Sequence, residues 1–448
     1  MRNYSIKQFE DKGLAHFSYA VLSGSEVILI DPARDPQPYY DFAGDHGAEI
    51  KGVIETHPHA DFVSSHLEIH RQKGVLIYTS ELVGADYPYQ SFDEGDEIVF
   101  GNDVRLRAVH TPGHSPDSIS IVLSEKGKDK AVFTGDTLFI GDVGRPDLRE
   151  KTGKMQAKRE ELARMMYNTL RSKLMELDDD VVVYPAHGSG SLCGKAMSDA
   201  KQSTIGAEKV GNYALQPMDE DDFVDLLLED QPFIPKYFPY DVDLNKQGAP
   251  AYRDSVNKVR KFDENFQPEE GALVVDGRPD HFFKKSHIKG AINIMLDNKF
   301  ETWLGSIVGP DEAYYLVAQN EQDLARLIQK AAKIGYELNI KGTFVYTRQG
   351  GEQMDKFDKK AFESEKQAYT VLDVRNVSEL KDNGIFKGAI NIPLPELRER
   401  VDEIPADKPV VVHCSGGYRS AVGSSIVEGA LNGQQVMDMG EAIKDYMD

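Results

Sequence analysis

THPHADF, residues 56–62, sets two histidines and an aspartate alternating along one short loop that ends on a phenylalanine. Alternate residues of an extended segment share a face, and imidazole and carboxylate are common transition-metal ligands. The run before it, IKGVIET (50–56), has the β-branched, apolar character of a buried strand. His57 therefore stands just past the C-terminal end of a strand. Three other apolar runs end the same way: RLRAVHT leads into Pro112-Gly113-His114, KAVFTG into Asp136, and DVVVYPA into His187. Strand ends are rigid, so side chains delivered there can converge on one point. His57, His114, Asp136 and His187, with His59 and Asp61 of the opening loop, form the candidate ligand set.

Working outward, SEVILID (25–31), GVLIYTS (74–80), DEIVF (96–100) and DSISIVLS (117–124) add further strand candidates. GKMQAKREELARMMYNTLRSKLMEL (153–177) and EDDFVDLLLED (220–230) read as helices. Strands with flanking helices predict a layered α/β domain. QPFIPKYFPYDVDLNKQGAP (231–250) carries four prolines and no period, and reads as a linker or wrapping arm with a domain boundary near 245–255. Beyond it the chain repeats itself. LVVDGRPDHFFKKSHIKGAINI (273–294) and TVLDVRNVSELKDNGIFKGAINI (370–392) share a strand, Asp-x-Arg, a short helical segment and KGAINI. The expected organisation is 1–250, 251–358 and 359–448.

The 448 residues allow several domains, and 40% hydrophobic residues supply a sizeable interior. A net charge of −22 repels phosphate backbones and argues against nucleic acid as a partner. The N-terminus, MRNYSIKQFEDKGLAHFSYAV, has no apolar signal core, and no run is long enough to span a bilayer. The expectation is a cytoplasmic protein without membrane contact. Its two cysteines, Cys193 and Cys414, are then free or reactive thiols rather than a disulfide.

LIDP (29–32), THPHAD (56–61), TPGH (111–114), FTGD (133–136) and YPAHG (184–188) together resemble the metallo-β-lactamase fold. In the hydrolases of that fold a histidine stands where this chain has Phe62, and helps to hold a second metal. Its loss leaves the paired-metal clamp incomplete. FTGDTLFIGDVGRPDL (133–148) and STIGAEKVGN (203–212) are similar to one branch of the fold, the persulfide dioxygenases. The resemblance implies a single Fe(II) per chain held by His57, His114 and Asp136. Two histidines and a carboxylate leave open positions, the arrangement of non-haem Fe(II) oxygenases. His59, Asp61 and His187 then orient ligands or bound water, or make structural hydrogen bonds. Arg145 and Asp147 of GRPD either place the thiol substrate or form a loop salt bridge.

KPVVVHCSGGYRS (408–420) reads as a buried strand, a cysteine at its end, a Gly-Gly loop and the start of a helix. Backbone N–H groups of Ser415, Gly416, Gly417 and Tyr418, with the helix dipole, form a cradle that favours a thiolate at Cys414. Arg419 adds a positive charge. The short Cys-to-Arg spacing, Asp373-Val374-Arg375 and KGAINI resemble a rhodanese domain, in which Cys414 would carry a transferable sulfur as Cys–S–S⁻. Asp373 and Arg375 read as structural. In the first copy the corresponding strand, EAYYLVA (312–318), runs into QNEQDLARLIQ without cysteine, Gly-Gly turn or loop arginine. This copy resembles an inactive rhodanese, suited to spacing, docking or supporting a homo-oligomer. Cys193, in GSGSLCGK six residues past His187, either accepts a persulfide near the metal or is a passive turn residue.

The expected fold is thus α/β: a metallo-β-lactamase αββα sandwich followed by two rhodanese-like α/β domains. The whole resembles the bacterial persulfide dioxygenase–rhodanese fusions of sulfide detoxification, of the CstB type. That resemblance implies oxidation of a low-molecular-weight thiol persulfide (glutathione, coenzyme A or bacillithiol type) with O2 to sulfite. Rhodanese sulfur transfer would then form or use thiosulfate. A zinc thioester hydrolase of the glyoxalase II kind, and a non-enzymatic sulfur carrier, are the alternatives; Phe62 argues against the first.

Overall fold

Four consecutive residues explain how the first part of the chain is layered. Ile28 and Ile30 face one apolar cluster while Val27 and Leu29 face another, so the strand that carries them is covered on both sides. The computed structural model describes residues 3–149, 159–297, 299–380, 384–405, 407–431 and 433–447. It divides into one unit of residues 1–257 with 332–335, and a second of 258–331 with 336–448.

The first unit holds two six-stranded sheets. One comprises β1 (Ser5–Asp11), β2 (His16–Ser23), β3 (Glu26–Ile30), β4 (Glu49–Ile54), β5 (Leu76–Thr79) and β6 (Gln90–Ser91), in that spatial order. The other comprises β7 (Glu97–Phe100), β8 (Val104–His110), β9 (Ile119–Glu125), β10 (Lys128–Gly135), β11 (Val182–Pro185) and β12 (Ser203–Thr204), also side by side in sequence order. Phe17, Tyr19, Ile28, Ile30 and Ile54 meet Leu106, Ile119, Ile121 and Phe133 between the sheets. Each such fully buried side chain contributes roughly 1.5–3 kcal/mol. The helix Gln37–Asp45 covers the first sheet through Tyr39 and Ala43. The helix Arg159–Thr169 covers the second through Ala163 and Met166. The result is the expected αββα sandwich. Of the expected helix 153–177, residues 153–158 lie outside the described residues, and the helix closes in a π turn at Leu170–Leu174.

Part of the stretch 231–250 is helical: Tyr237–Gln247 forms a helix within the first unit. Its Pro239 falls in the first turn, where the backbone N–H has no intrahelical partner to lose. The two units meet along the chain at 257/258, and residues 332–335 join the first unit.

The second unit contains two four-stranded parallel sheets. In the first copy β13 (Leu273–Asp276), β14 (Ile292–Asn293), β15 (Tyr314–Ala318) and β16 (Ile340–Val345) lie in the order β14-β13-β15-β16. In the second, β17 (Thr370–Asp373), β18 (Ile390–Asn391), β19 (Val410–His413) and β20 (Val436–Asp438) lie as β18-β17-β19-β20. The repeat seen in the sequence is therefore a repeat of topology. Among the described residues no helix is long and apolar enough to cross a membrane.

Candidate metal centre and thiol loop

β4, β8, β10 and β11 release their side chains at one end of the sandwich, and the ligand candidates meet there. His57 Nε2 lies 3.8 Å and His114 Nε2 3.5 Å from Asp136 Oδ2, while His187 Nε2 lies 3.4 Å from Asp136 Oδ1. His57, His114, Asp136 and His187 are each no more than 2% exposed. The opposite nitrogen of each ring is occupied. His114 Nδ1 donates to the Arg145 carbonyl at 2.9 Å, and His187 Nδ1 to the Ala15 carbonyl at 3.3 Å. Thr56 Oγ1 gives its proton to Asp31 and so accepts from His57 Nδ1 at 3.0 Å. Each imidazole is thereby held with its Nε2 lone pair turned toward Asp136, the orientation of metal-ligating histidines.

Asp136 supplies the test of whether a cation fits. Both of its oxygens are buried without a hydrogen-bond partner. A carboxylate desolvated in that way is costly unless a cation or a proton compensates it. His57, His114 and Asp136 bring one ligand atom each within 4.8 Å of one another. In the metal-free chain His187 is raised to about 9: burial opposes the charge, but Asp136 and Asp61 override it.

The His59 ring centroid lies 4.3 Å from that of His57, and its Nδ1 is buried without a hydrogen-bond partner. Its Nε2 faces Asp31 Oδ1 at 3.1 Å and Glu55 Oε2 at 3.6 Å. Burial pushes the Glu55 carboxyl up to about 8. Phe62 fills the space beside it, its ring centroid 3.8 Å from that of His16 and 4.3 Å from that of His59. Asp61 faces His187, Oδ2 to Nε2, at 3.4 Å. Cys193 joins this side: Asp61, His187 and Cys193 form a second group of buried ligand atoms within 4.8 Å of one another. Burial first, then the Asp61 and Asp136 charges, push the Cys193 thiol up, so without a cation it is a protonated and poor nucleophile.

Arg145 spends its guanidinium on partners within the first unit. The side chain is 1% exposed and pairs with both oxygens of Asp147 at 2.6 Å, with further bonds to the Leu192 and Phe233 carbonyls. These contacts clamp the loop that carries Arg145 and Asp147. The backbone of Arg145 links both ligand groups, accepting from His114 Nδ1 and donating to the Cys193 carbonyl at 2.9 Å. Gly144 allows this loop to pass so closely; a Cβ there would stand 1.8 Å from the Asp136 carbonyl oxygen.

Two positioning residues are not singled out in the sequence, although Asp142 lies within the stretch 133–148. Asn245, on the helix Tyr237–Gln247, accepts from Ser64 N–H at 2.8 Å and donates to the His59 and Phe62 carbonyls. Asp142 accepts from the N–H groups of Val143, Lys195 and Ala196 and from the Tyr213 hydroxyl, which pins the loop carrying Cys193.

In the second unit Cys414 follows β19, 1% exposed. Its Sγ accepts from Gly417 N–H at 3.1 Å and Gly416 N–H at 3.5 Å, just before the helix Tyr418–Ala430. Arg419 donates to Ser415 Oγ at 2.8 Å and pairs with Glu379, which offsets its charge. The Tyr418 hydroxyl donates to the Met295 carbonyl of the first copy at 3.1 Å. Asp-x-Arg is structural in both copies. Arg278 chelates Asp276 and Arg375 chelates Asp373, while Asn293 and Asn391 each donate to both flanking carbonyls. Strand register aligns Asp276 with Val317 and Asp373 with His413, so Ala318 occupies the place of Cys414 in the first copy.

Residues 11–187 match the metallo-beta-lactamase superfamily, and residues 259–351 and 356–446 each match the rhodanese-like domain. A metallo-beta-lactamase crystal structure from Staphylococcus aureus subsp. aureus COL is 30% identical, with a TM-score of 0.68 over 77% of this chain and 100% of that one. The cytoplasmic hydroxyacylglutathione hydrolase of Arabidopsis thaliana is 31% identical over 38% of this chain and 63% of its own length. The mitochondrial persulfide dioxygenase ETHE1 of Homo sapiens is 30% identical over 36% of this chain and 59% of its own length. The chain thus spans less than two thirds of either curated relative. Fold, ligand geometry and similarity agree that this chain belongs to the metallo-beta-lactamase superfamily and continues into two rhodanese-like domains.

Proposed function

We propose that the first unit is a persulfide dioxygenase with one Fe(II) per chain, and that the second copy of the repeat is its sulfurtransferase. The observation that carries this reading is Asp136, whose buried, unbonded carboxylate faces the Nε2 atoms of His57 and His114. Similarity to a persulfide dioxygenase supports it. A ferrous ion held by these residues would supply O2 activation and a seat for the persulfide sulfur. The overall reaction balances as RSSH + O2 + H2O → RSH + SO3²⁻ + 2H⁺. The outer sulfur is oxidised, O2 is reduced, and the carrier thiol leaves. His59, Asp61 and His187 surround the ligands, and Phe62 closes the place of a further nitrogen ligand.

At Cys414, sulfite attacks the outer sulfur of Cys–S–S⁻. The new S–S bond makes thiosulfate, the old one breaks, and the thiolate that departs is received by the Gly416 and Gly417 N–H groups. The same cradle serves the reverse transfer. The substrate class is a low-molecular-weight thiol persulfide of glutathione, coenzyme A or bacillithiol type, and the compartment is the cytoplasm. The first copy, with Ala318 in the cysteine position, spaces or docks the active parts or supports a homo-oligomer.

The similarity to a hydroxyacylglutathione hydrolase favours a second reading, zinc-dependent thioester cleavage. Metal analysis with oxygen uptake separates the two. Iron with persulfide-dependent O2 consumption supports the proposal; zinc with thioester cleavage and no O2 uptake replaces it.

A further inference from the structure

The second copy of the repeat carries a cavity of about 630 Å³ apart from its thiol loop. Its walls include Phe362 of the helix Lys359–Ser364, the residues that enter β17, and the segment 385–390. β17 and β19 run parallel, and Cys414 follows their C-terminal ends, whereas the cavity borders their N-terminal ends. Lys366, Lys387 and Lys408 line it, and among the described residues no aspartate or glutamate does. None of the three lysines has a carboxylate partner among the described residues. Lys408 donates to the Gln367 carbonyl at 3.0 Å, and Lys366 Nζ lies 5.7 Å from the ring centroid of Phe386 and 5.4 Å from that of Tyr446.

This local charge runs against the chain as a whole, whose net charge is −22. Like charges gathered in one concavity repel, and a bound anion relieves the repulsion. Ammonium groups bind phosphate as point charges. Tyr369 and Phe386, both half-buried on the cavity wall, offer aromatic surface on which a planar ring can stack.

The first copy is an internal control for the fold. Lys366 stands four residues before Thr370, and Lys408 two before Val410, its partner in register. The paired strand starts of the first copy are Leu273 and Tyr314, and the same positions there hold Glu269 and Glu312. Both are spent inside that copy or on its neighbour: Glu269 pairs with Lys341 and accepts from the Tyr315 hydroxyl, and Glu312 pairs with Arg398. The lysine of KGAINI is common to both copies, as Lys289 and Lys387. The same topology thus takes opposite charge at two positions, so the topology itself does not require lysine there.

We propose that this cavity binds a nucleoside diphosphate group, with Lys366, Lys387 and Lys408 on the phosphates and Tyr369 and Phe386 against the base. Three ammonium groups balance the roughly three negative charges of such a diphosphate at neutral pH. The cavity falls in the size range of small-molecule sites. The group can come from a free nucleotide or from a thiol that carries one, such as coenzyme A. Binding is non-covalent, and the inference does not depend on the reaction proposed for the first unit.

Isothermal titration of the full-length protein with ADP, coenzyme A and inorganic pyrophosphate tests it. ADP, coenzyme A or both should bind, and pyrophosphate, which has no ring to stack, should bind more weakly by about tenfold or more. Lys366→Glu/Lys408→Glu, which installs the first copy's residues, should weaken binding by about tenfold or more, and the milder Lys387→Ala should weaken it severalfold. Lys285→Glu/Lys289→Glu, at exposed positions of the first copy, makes the same change in net charge and should leave binding unchanged. Circular dichroism of each variant establishes that it is folded. Failure of both ADP and coenzyme A to bind overturns the proposal. Pyrophosphate binding as tightly as the better of the two also overturns it, as does full binding in the folded cavity variants or an equal loss in Lys285→Glu/Lys289→Glu.

Discussion

Asn245 donates a hydrogen bond of 2.7 Å to the carbonyl of Phe62, and its second amide hydrogen goes to His59. The helix Tyr237–Gln247 thus fixes the backbone of the metal loop from outside it. Asn245→Leu leaves the two carbonyls and the Ser64 N–H buried and unpaired, each costing about 1–3 kcal/mol. Thermal unfolding of the first unit should move down by several degrees, at about 2–4 °C per kcal/mol. Metal content at a fixed metal concentration should fall with it. An unchanged melting temperature and full occupancy would mean that the loop holds itself.

Cys414→Ser should abolish sulfur transfer between thiosulfate and sulfite or thiol acceptors, and leave persulfide-dependent O2 uptake intact. Adding Ala318→Cys to that variant should not restore transfer, because the first copy lacks the Gly416-Gly417 cradle and a counterpart of Arg419. Transfer assays with each purified variant check this. Recovery of transfer on adding Ala318→Cys would show that the thiol alone suffices.

The Asp-x-Arg pairs should behave as structure and not as chemistry. Arg375→Met strands the Asp373 carboxylate, which is 2% exposed, at a cost of about 3–5 kcal/mol. Arg278→Met should do the same to Asp276 in the first copy. Urea unfolding of the second unit should show comparable losses for both. A transfer defect in Arg375→Met with unchanged stability would instead place that residue in catalysis.

Acid sensitivity should trace in part to His66. Burial first, then the charges of His59, Arg34 and His70, hold its imidazole down to about 3, with Glu55 Oε1 3.7 Å from Nδ1. The unfolded chain binds a proton below the usual 6.5 that the folded chain refuses. The stability from this group is therefore complete above pH 6.5 and is lost as the pH falls toward 3, with a slope of up to ~1.4 kcal/mol per pH unit. In the metal-free chain, urea midpoints measured from pH 7 to 4.5 should fall less steeply for His66→Leu than for wild type. Equal slopes would assign the acid sensitivity elsewhere.

The cluster around Asp136 is legible in the sequence because His57, His114, Asp136 and His187 each follow a β-rich run, as in Ile50 to Ile54 before His57. The positioning residues are not. Asn245 acts through backbone groups distant along the chain, and such contacts leave no period or spacing; Asp142 stands in the stretch 133–148, but its hold on Lys195 and Ala196 leaves no spacing either. The helix around Asn245 is masked by prolines of which Pro239 is harmless in a first turn. Strand β1 goes unpredicted because it is an edge strand whose residues are all at least partly exposed. The repeat is visible in KGAINI, but only strand register identifies Ala318 as the counterpart of Cys414.

The most direct test is an oxygen-electrode assay of iron-loaded protein with glutathione persulfide. One O2 consumed and one sulfite formed per persulfide, both abolished in His114→Ala and Asp136→Ala, is the predicted result. Absence of persulfide-dependent O2 uptake in iron-loaded wild-type protein, with zinc-dependent cleavage of a glutathione thioester, would contradict it.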